Sequence, residues 1–73
     1  MTVAEQFGRR LRAKRRWAGH SQESLAKAAG VHRAYVGYLE NGRREPRIGT
    51  VLKLANALGV EAGELVNGIR VTG

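Results

Sequence analysis

Cysteine is absent from this chain, so neither a disulfide nor a thiolate metal site can staple it. Its two histidines, His20 and His32, have no carboxylate or thiol company at ligand spacing, and no metal is expected. No apolar run approaches the ~20 residues of a membrane span, and no signal-peptide pattern opens the chain. No membrane partner is therefore expected, and the expected location is cytoplasmic, associated with the nucleoid. Acid is scarce as well. The six acids, Glu5, Glu23, Glu40, Glu45, Glu61 and Glu64, are scattered, and no Ser–His–Asp arrangement accompanies them. That pattern argues against an enzyme: no catalytic residue and no cofactor are expected. Internal repeats and low-complexity segments are missing too. With 73 residues the chain holds one small domain, residues 1–73. A domain of that size buries only about 60% of the surface its unfolded chain exposes.

What the chain has in excess is positive charge, +7 at neutral pH, which favours a polyanionic partner. Much of it lies in a first helix predicted over residues 3–18, where Val3, Phe7 and Leu11 recur every four residues and mark a buried face. Arg9, Arg10, Arg12, Lys14, Arg15 and Arg16 share that helix with one acid, Glu5. Such a run fits phosphate contacts, a solvated face or a membrane-surface helix, and does not choose among them. At most one or two of these side chains are expected to touch phosphate. Trp17 is expected to be partly buried at the core edge.

Residues 21–42 carry the most information. Ser21 is a good N-cap, because its hydroxyl can accept from a free amide of the first turn. Glu23 suits the positive end of the helix dipole. Leu25, Ala26 and Ala29 form a narrow apolar stripe, and Gly30 ends the helix. Val31 plugs the corner. A second short helix follows over residues 33–41, with Val36 and Leu39 buried and Tyr35 at the edge. Its opposite face carries Arg33, Ala34, Gly37, Tyr38 and Asn41. The major groove of B-DNA admits one helix and offers each base pair a distinct pattern of donors and acceptors. Arg33 can fork onto guanine, Ala34 can touch a thymine methyl, and Tyr38 can add a hydroxyl or apolar contact. Gly37 costs about 1 kcal/mol of helix propensity against alanine. Either close approach to DNA or tight packing against another helix would account for it.

These residues resemble the lambda-repressor-like helix-turn-helix family, the Cro and repressor (XRE) type of phages and bacteria. The match runs through Ser21-Gln22-Glu23-Ser24-Leu25-Ala26, Ala29-Gly30-Val31 and Leu39-Glu40-Asn41-Gly42. It continues through Pro46, Leu54-Ala55 and Ala57-Leu58-Gly59-Val60, covering roughly residues 7–66. The resemblance implies an all-α fold, a compact bundle of five helices with the helix-turn-helix in helices 2 and 3. It also implies that Arg33, Ala34, Gly37 and Tyr38 face base edges. Gln22, Asn41 and Arg43 or Arg44 would contact the DNA backbone, with His32 and Tyr35 beside them. Arg15, next on the apolar stripe of the first helix, would pair with Glu40. The alternative is that Arg15 snorkels to solvent and Glu40 is an ordinary surface acid. The chain departs from the family pattern in three places: Lys14 replaces an apolar residue, His20 a leucine, and His32 the usual Ser, Thr or Asp cap. His32 is read as a tolerated surface residue, with a phosphate contact as the alternative.

Pro46 breaks the following loop, whose Arg43, Arg44 and Arg47 lie just beyond the reading helix. A fourth helix over Ile48–Leu58 is expected to bury Ile48, Val51, Leu52, Ala55 and Leu58. A fifth, near residues 61–66, adds Leu65 and Val66. The tail, residues 67–73, either seals the domain or a subunit contact through Ile69 and Val71, or frays. Proteins of the resembled type commonly form homodimers on palindromic double-stranded DNA, and Leu65, Val66 and Ile69 are the expected two-fold contact. The leading expectation is a sequence-specific transcriptional regulator. The second is an antitoxin or similar interaction module working mainly through a protein partner, such as a toxin or RNA polymerase.

Overall fold

The computed structural model describes residues 1–71. It contains five helices among those residues: α1 Val3–Trp17, α2 Gln22–Ala29, α3 Arg33–Glu40, α4 Ile48–Leu58 and α5 Gly63–Val66. None of them is long and apolar enough to cross a membrane.

The starts and stops of the helices follow local chemistry. Thr2 and Glu5 form a reciprocal capping box at α1. Ser21 and Ser24 do the same at α2, so serine supplies the returning oxygen that Glu or Gln usually provides. α2 ends where Gly30 takes φ 72°, letting the Val31 amide reach back to the Ala26 carbonyl at 3.0 Å. This closes the turn between α2 and α3 in very few residues.

Phe7, Leu11, Leu25, Val36, Leu39, Leu54 and Leu65 are fully buried, so every helix contributes to one core. α3 packs against both α1 and α2, α2 reaches α4, and α5 closes on α1 and α4. Val36 and Leu39 anchor α3 from behind and leave its other side outward.

Five expectations need correction. In α4 the buried set is Val51, Leu54, Ala55 and Leu58. Leu52 is 54% exposed, because at about 100° per residue it falls a quarter-turn off the stripe that those residues define. Ile48 lies nearer the stripe but in the first turn, beyond the reach of the covering helices, and is 74% exposed. Leu65 is fully buried in the single chain, as expected of the fifth helix, and is therefore not available to a partner, whereas Val66, also expected in the core, is 40% exposed. Trp17, 82% exposed, is the last residue of α1 and stands clear of the core.

The basic run of α1 is largely consumed within the fold. Arg10 donates to the Glu64 and Asn67 carbonyls at 2.9 and 2.8 Å, and so caps the short α5. Lys14 pairs with Glu64 at 3.2 Å, which explains how a lysine is accommodated where the family pattern has an apolar residue. Gln6 holds the tail by exchanging two hydrogen bonds with Arg70, and Ile69 packs on the core. Val71 is exposed; the remainder of the tail lies outside the described residues.

Candidate nucleic-acid interface

α3 presents Arg33, Ala34 and Tyr38 to solvent, with Gly37 half-buried between them. The protein's own packing does not cover this face. Asn41, Arg43 and Arg44 continue it beyond the helix end, all exposed, and Tyr35 is half-buried at the flank. Gly42 makes that continuation possible. Its φ of 70° turns the chain so that the Arg43 amide bonds the Tyr38 carbonyl at 3.0 Å. The Arg44 guanidinium then sits 5.3 Å from the centre of the Tyr38 ring, within cation–π distance.

His32 is corrected from a tolerated surface residue to a working cap: its Nδ1 accepts the Ala34 amide at 3.1 Å. An imidazole nitrogen thus replaces the hydroxyl or carboxylate usually found there. His20 is also engaged, through Ser24 at 2.8 Å and through its carbonyl, which accepts from Arg15 at 2.9 Å.

Behind the face lies one ionic cluster. Glu40 has a side chain with 0% exposure, and Arg15, 11% exposed, donates to it through both Nε and Nη2. Arg12 adds a contact at 3.3 Å and Gln22 one at 3.2 Å. Burial by itself would push the Glu40 carboxyl up. The donors from Arg15, Gln22 and Arg12 together outweigh that and hold it below the ordinary glutamate range. Arg12 also reaches the Asn41 side chain at 3.2 Å, so one guanidinium ties α1 to the end of α3. Gln22 is drawn toward α3 by the same carboxylate, and its Oε1 would lie 3.8 Å from a Cβ built at Gly37.

That last distance bears on Gly37. A Cβ there meets nothing closer, so packing inside the chain does not require glycine. Gly37→Ala should therefore stabilise the fold by up to about 1 kcal/mol from helix propensity and raise the urea midpoint accordingly. If glycine is kept for close approach to DNA, the same variant should bind a preferred duplex more weakly. A more stable variant with undiminished binding would remove that explanation.

Sequence reasoning missed two participants. Arg12, one of the basic run, reaches Glu40 and Asn41, and Glu23, at the positive end of the α2 dipole, also bonds Arg33 at 3.1 Å. Both contacts join different helices, so no local spacing announces them.

A helix-turn-helix family model matches residues 11–65, most of the chain. The chain belongs to the helix-turn-helix family. Among its relatives is YazB of Bacillus subtilis (strain 168), named an uncharacterized HTH-type transcriptional regulator. The two are 40% identical over 62 residues, covering 85% of this chain and 90% of that protein. The control protein C.SmaI of Serratia marcescens is 33% identical over 66 residues, 90% of this chain and 79% of its own. The crystal structure of the restriction–modification controller protein C.AhdI from Aeromonas hydrophila superposes with a TM-score of 0.83 at 47% identity. That match covers 85% of this chain and 94% of the controller. Helix-turn-helix architecture is thus established by sequence and by shape together.

Proposed function

We propose that this helix-turn-helix transcriptional regulator reads double-stranded DNA by laying α3 in the major groove. The observation that carries the reading is the outward face of Arg33, Ala34 and Tyr38 on a helix whose reverse side, Val36 and Leu39, is wholly buried. Arg33, Ala34, Gly37 and Tyr38 approach base edges. His32, Gln22, Tyr35, Asn41, Arg43 and Arg44 serve the phosphates around them. Affinity comes largely from the phosphates and specificity from the base edges. The formal charge of +7 supports the same partner.

The working unit is a homodimer whose two copies of α3 enter successive major grooves about 34 Å apart on a palindromic site. Its contact is supported by the exposed apolar residues Ile48, Leu52 and Val66, with Ile69 beside them; Leu65 supports the surface from within. The named controller relatives favour a restriction–modification control role over that of an antitoxin.

Selection of bound sequences from random duplexes, followed by a mass measurement of the complex, tests the whole reading. A palindromic consensus carrying two chains is expected. No enrichment at moderate salt would overturn it. Two substitutions then separate the roles. Arg33→Ala should cost about 1–3 kcal/mol on the selected site and relax preference at one position. Arg43→Ala should weaken all duplexes alike and lower the salt slope by about one unit. Equal losses on selected and random DNA from both variants would contradict the assigned reading face.

A further inference from the structure

Arg33 is the first residue of α3, and Glu23 lies in the first turn of α2. The Arg33 Nη1 donates to Glu23 Oε2 at 3.1 Å, with the two side chains 66% and 72% exposed. Among the described residues, the loop arginines Arg43, Arg44 and Arg47 form no such ion pair. An exposed pair of this kind adds little to folding stability. A carboxylate beside a DNA-binding face also repels phosphate. The α2 dipole accounts for an acid in this turn, but neither the dipole nor general DNA affinity accounts for its pairing with Arg33.

The geometry of the guanidinium offers an account. With Nη1 taken by Glu23, the Nε and Nη2 edge remains free among the described contacts. That edge presents two parallel N–H donors, the pattern that matches the two acceptors of guanine in the major groove. On random sequence the same arginine would turn to a phosphate, and Glu23 then competes for it and repels the strand. On guanine both contacts coexist. The carboxylate therefore works against the wrong complex while bracing the right one, which is how a difference in affinity is built.

We infer that Glu23 is a specificity-determining residue that holds Arg33 in guanine-reading orientation and weakens binding to DNA lacking that guanine. The inference rests on the base-reading role proposed above for Arg33. It assigns Glu23 a positioning role through Arg33, with no direct contact to DNA.

Glu23→Gln keeps the shape and removes the charge. Binding is measured at one salt concentration to the selected duplex and to a random duplex of equal length. The preference of wild type for the selected duplex should fall about five-fold in the variant, because random DNA gains affinity and the selected site does not. The same change in an Arg33→Ala background should raise both affinities by one factor, since no arginine is left to orient. A near-identical melting midpoint for Glu23→Gln confirms that the fold is intact. Equal gains on both duplexes in the wild-type background, or no change on either, would overturn the role of Glu23 alone. Absence of any preferred duplex for the wild type would instead overturn the DNA-reading proposal beneath it.

Discussion

Replacing Arg15 with alanine should lower the stability of this domain by about 3 kcal/mol, within the 3–5 kcal/mol typical of a broken buried pair. Glu40 has no exposed side-chain surface and carries a full charge, so its solvation comes almost entirely from neighbours. Arg15 supplies two of its donors. Arg12, at 41% side-chain exposure, stays in place and limits the loss, which sets the figure at the low end of the range. Equilibrium unfolding in urea measures it; an unchanged midpoint would mean that the carboxylate is solvated some other way.

The pH dependence supplies a second readout. Glu40 titrates below its ordinary value in the folded chain. Its contribution is therefore fully present above the unfolded-state value and is lost as pH falls through the lowered one. Without Arg15, burial is opposed by fewer donors and the carboxyl moves upward. The deficit of the variant against the parent should shrink between neutral pH and about pH 4, because protonation removes the poorly compensated charge. Replacing Arg15 and Glu40 together by apolar residues of similar size should cost much less than the sum of the single changes.

What could be foreseen of this architecture divides by the range of the interaction. The Ser21 cap, the Gly30 stop and the pairing of Val36 with Leu39 are short-range patterns, and they were legible as residues in a row. Burial in α4 was only half legible. Periodicity marks Val51, Ala55 and Leu58, but Ile48 and Leu52 are also large and apolar, and only the position of neighbouring helices decides between them and Leu54. Leu65 misled for a related reason, since an apolar residue near a chain end looks the same whether it faces its own core or a second subunit. The cross-helix contacts Arg10 to α5, Lys14 to Glu64, Arg12 to Asn41 and Glu23 to Arg33 all needed the tertiary arrangement. The exposed face of α3 was the part of the site most visible in advance, because its opposite side had to be apolar.

Gly8 gave no signal at all, and it yields the second large effect. A glycine inside a helix is ordinarily a defect worth about 1 kcal/mol, and alanine should repair it. Here a Cβ would overlap the Leu39 carbonyl oxygen and fall 2.7 Å from that of Glu40, well inside van der Waals contact. Both atoms are backbone at the end of α3, so no side chain can rotate away. Relief would require α1 to back off, loosening Phe7 and Leu11 in the core and lengthening the Arg15 bonds to Glu40. Gly8→Ala should therefore destabilise by about 3 kcal/mol, the upper end for overpacking, despite its better propensity. Gly37→Ala, the same substitution in α3, has room and should go the other way. Urea midpoints of the two variants should thus move in opposite directions from the parent. A stabilised Gly8→Ala protein would mean that α1 and α3 do not meet backbone to backbone, and the brace behind the reading helix would have to be sought elsewhere.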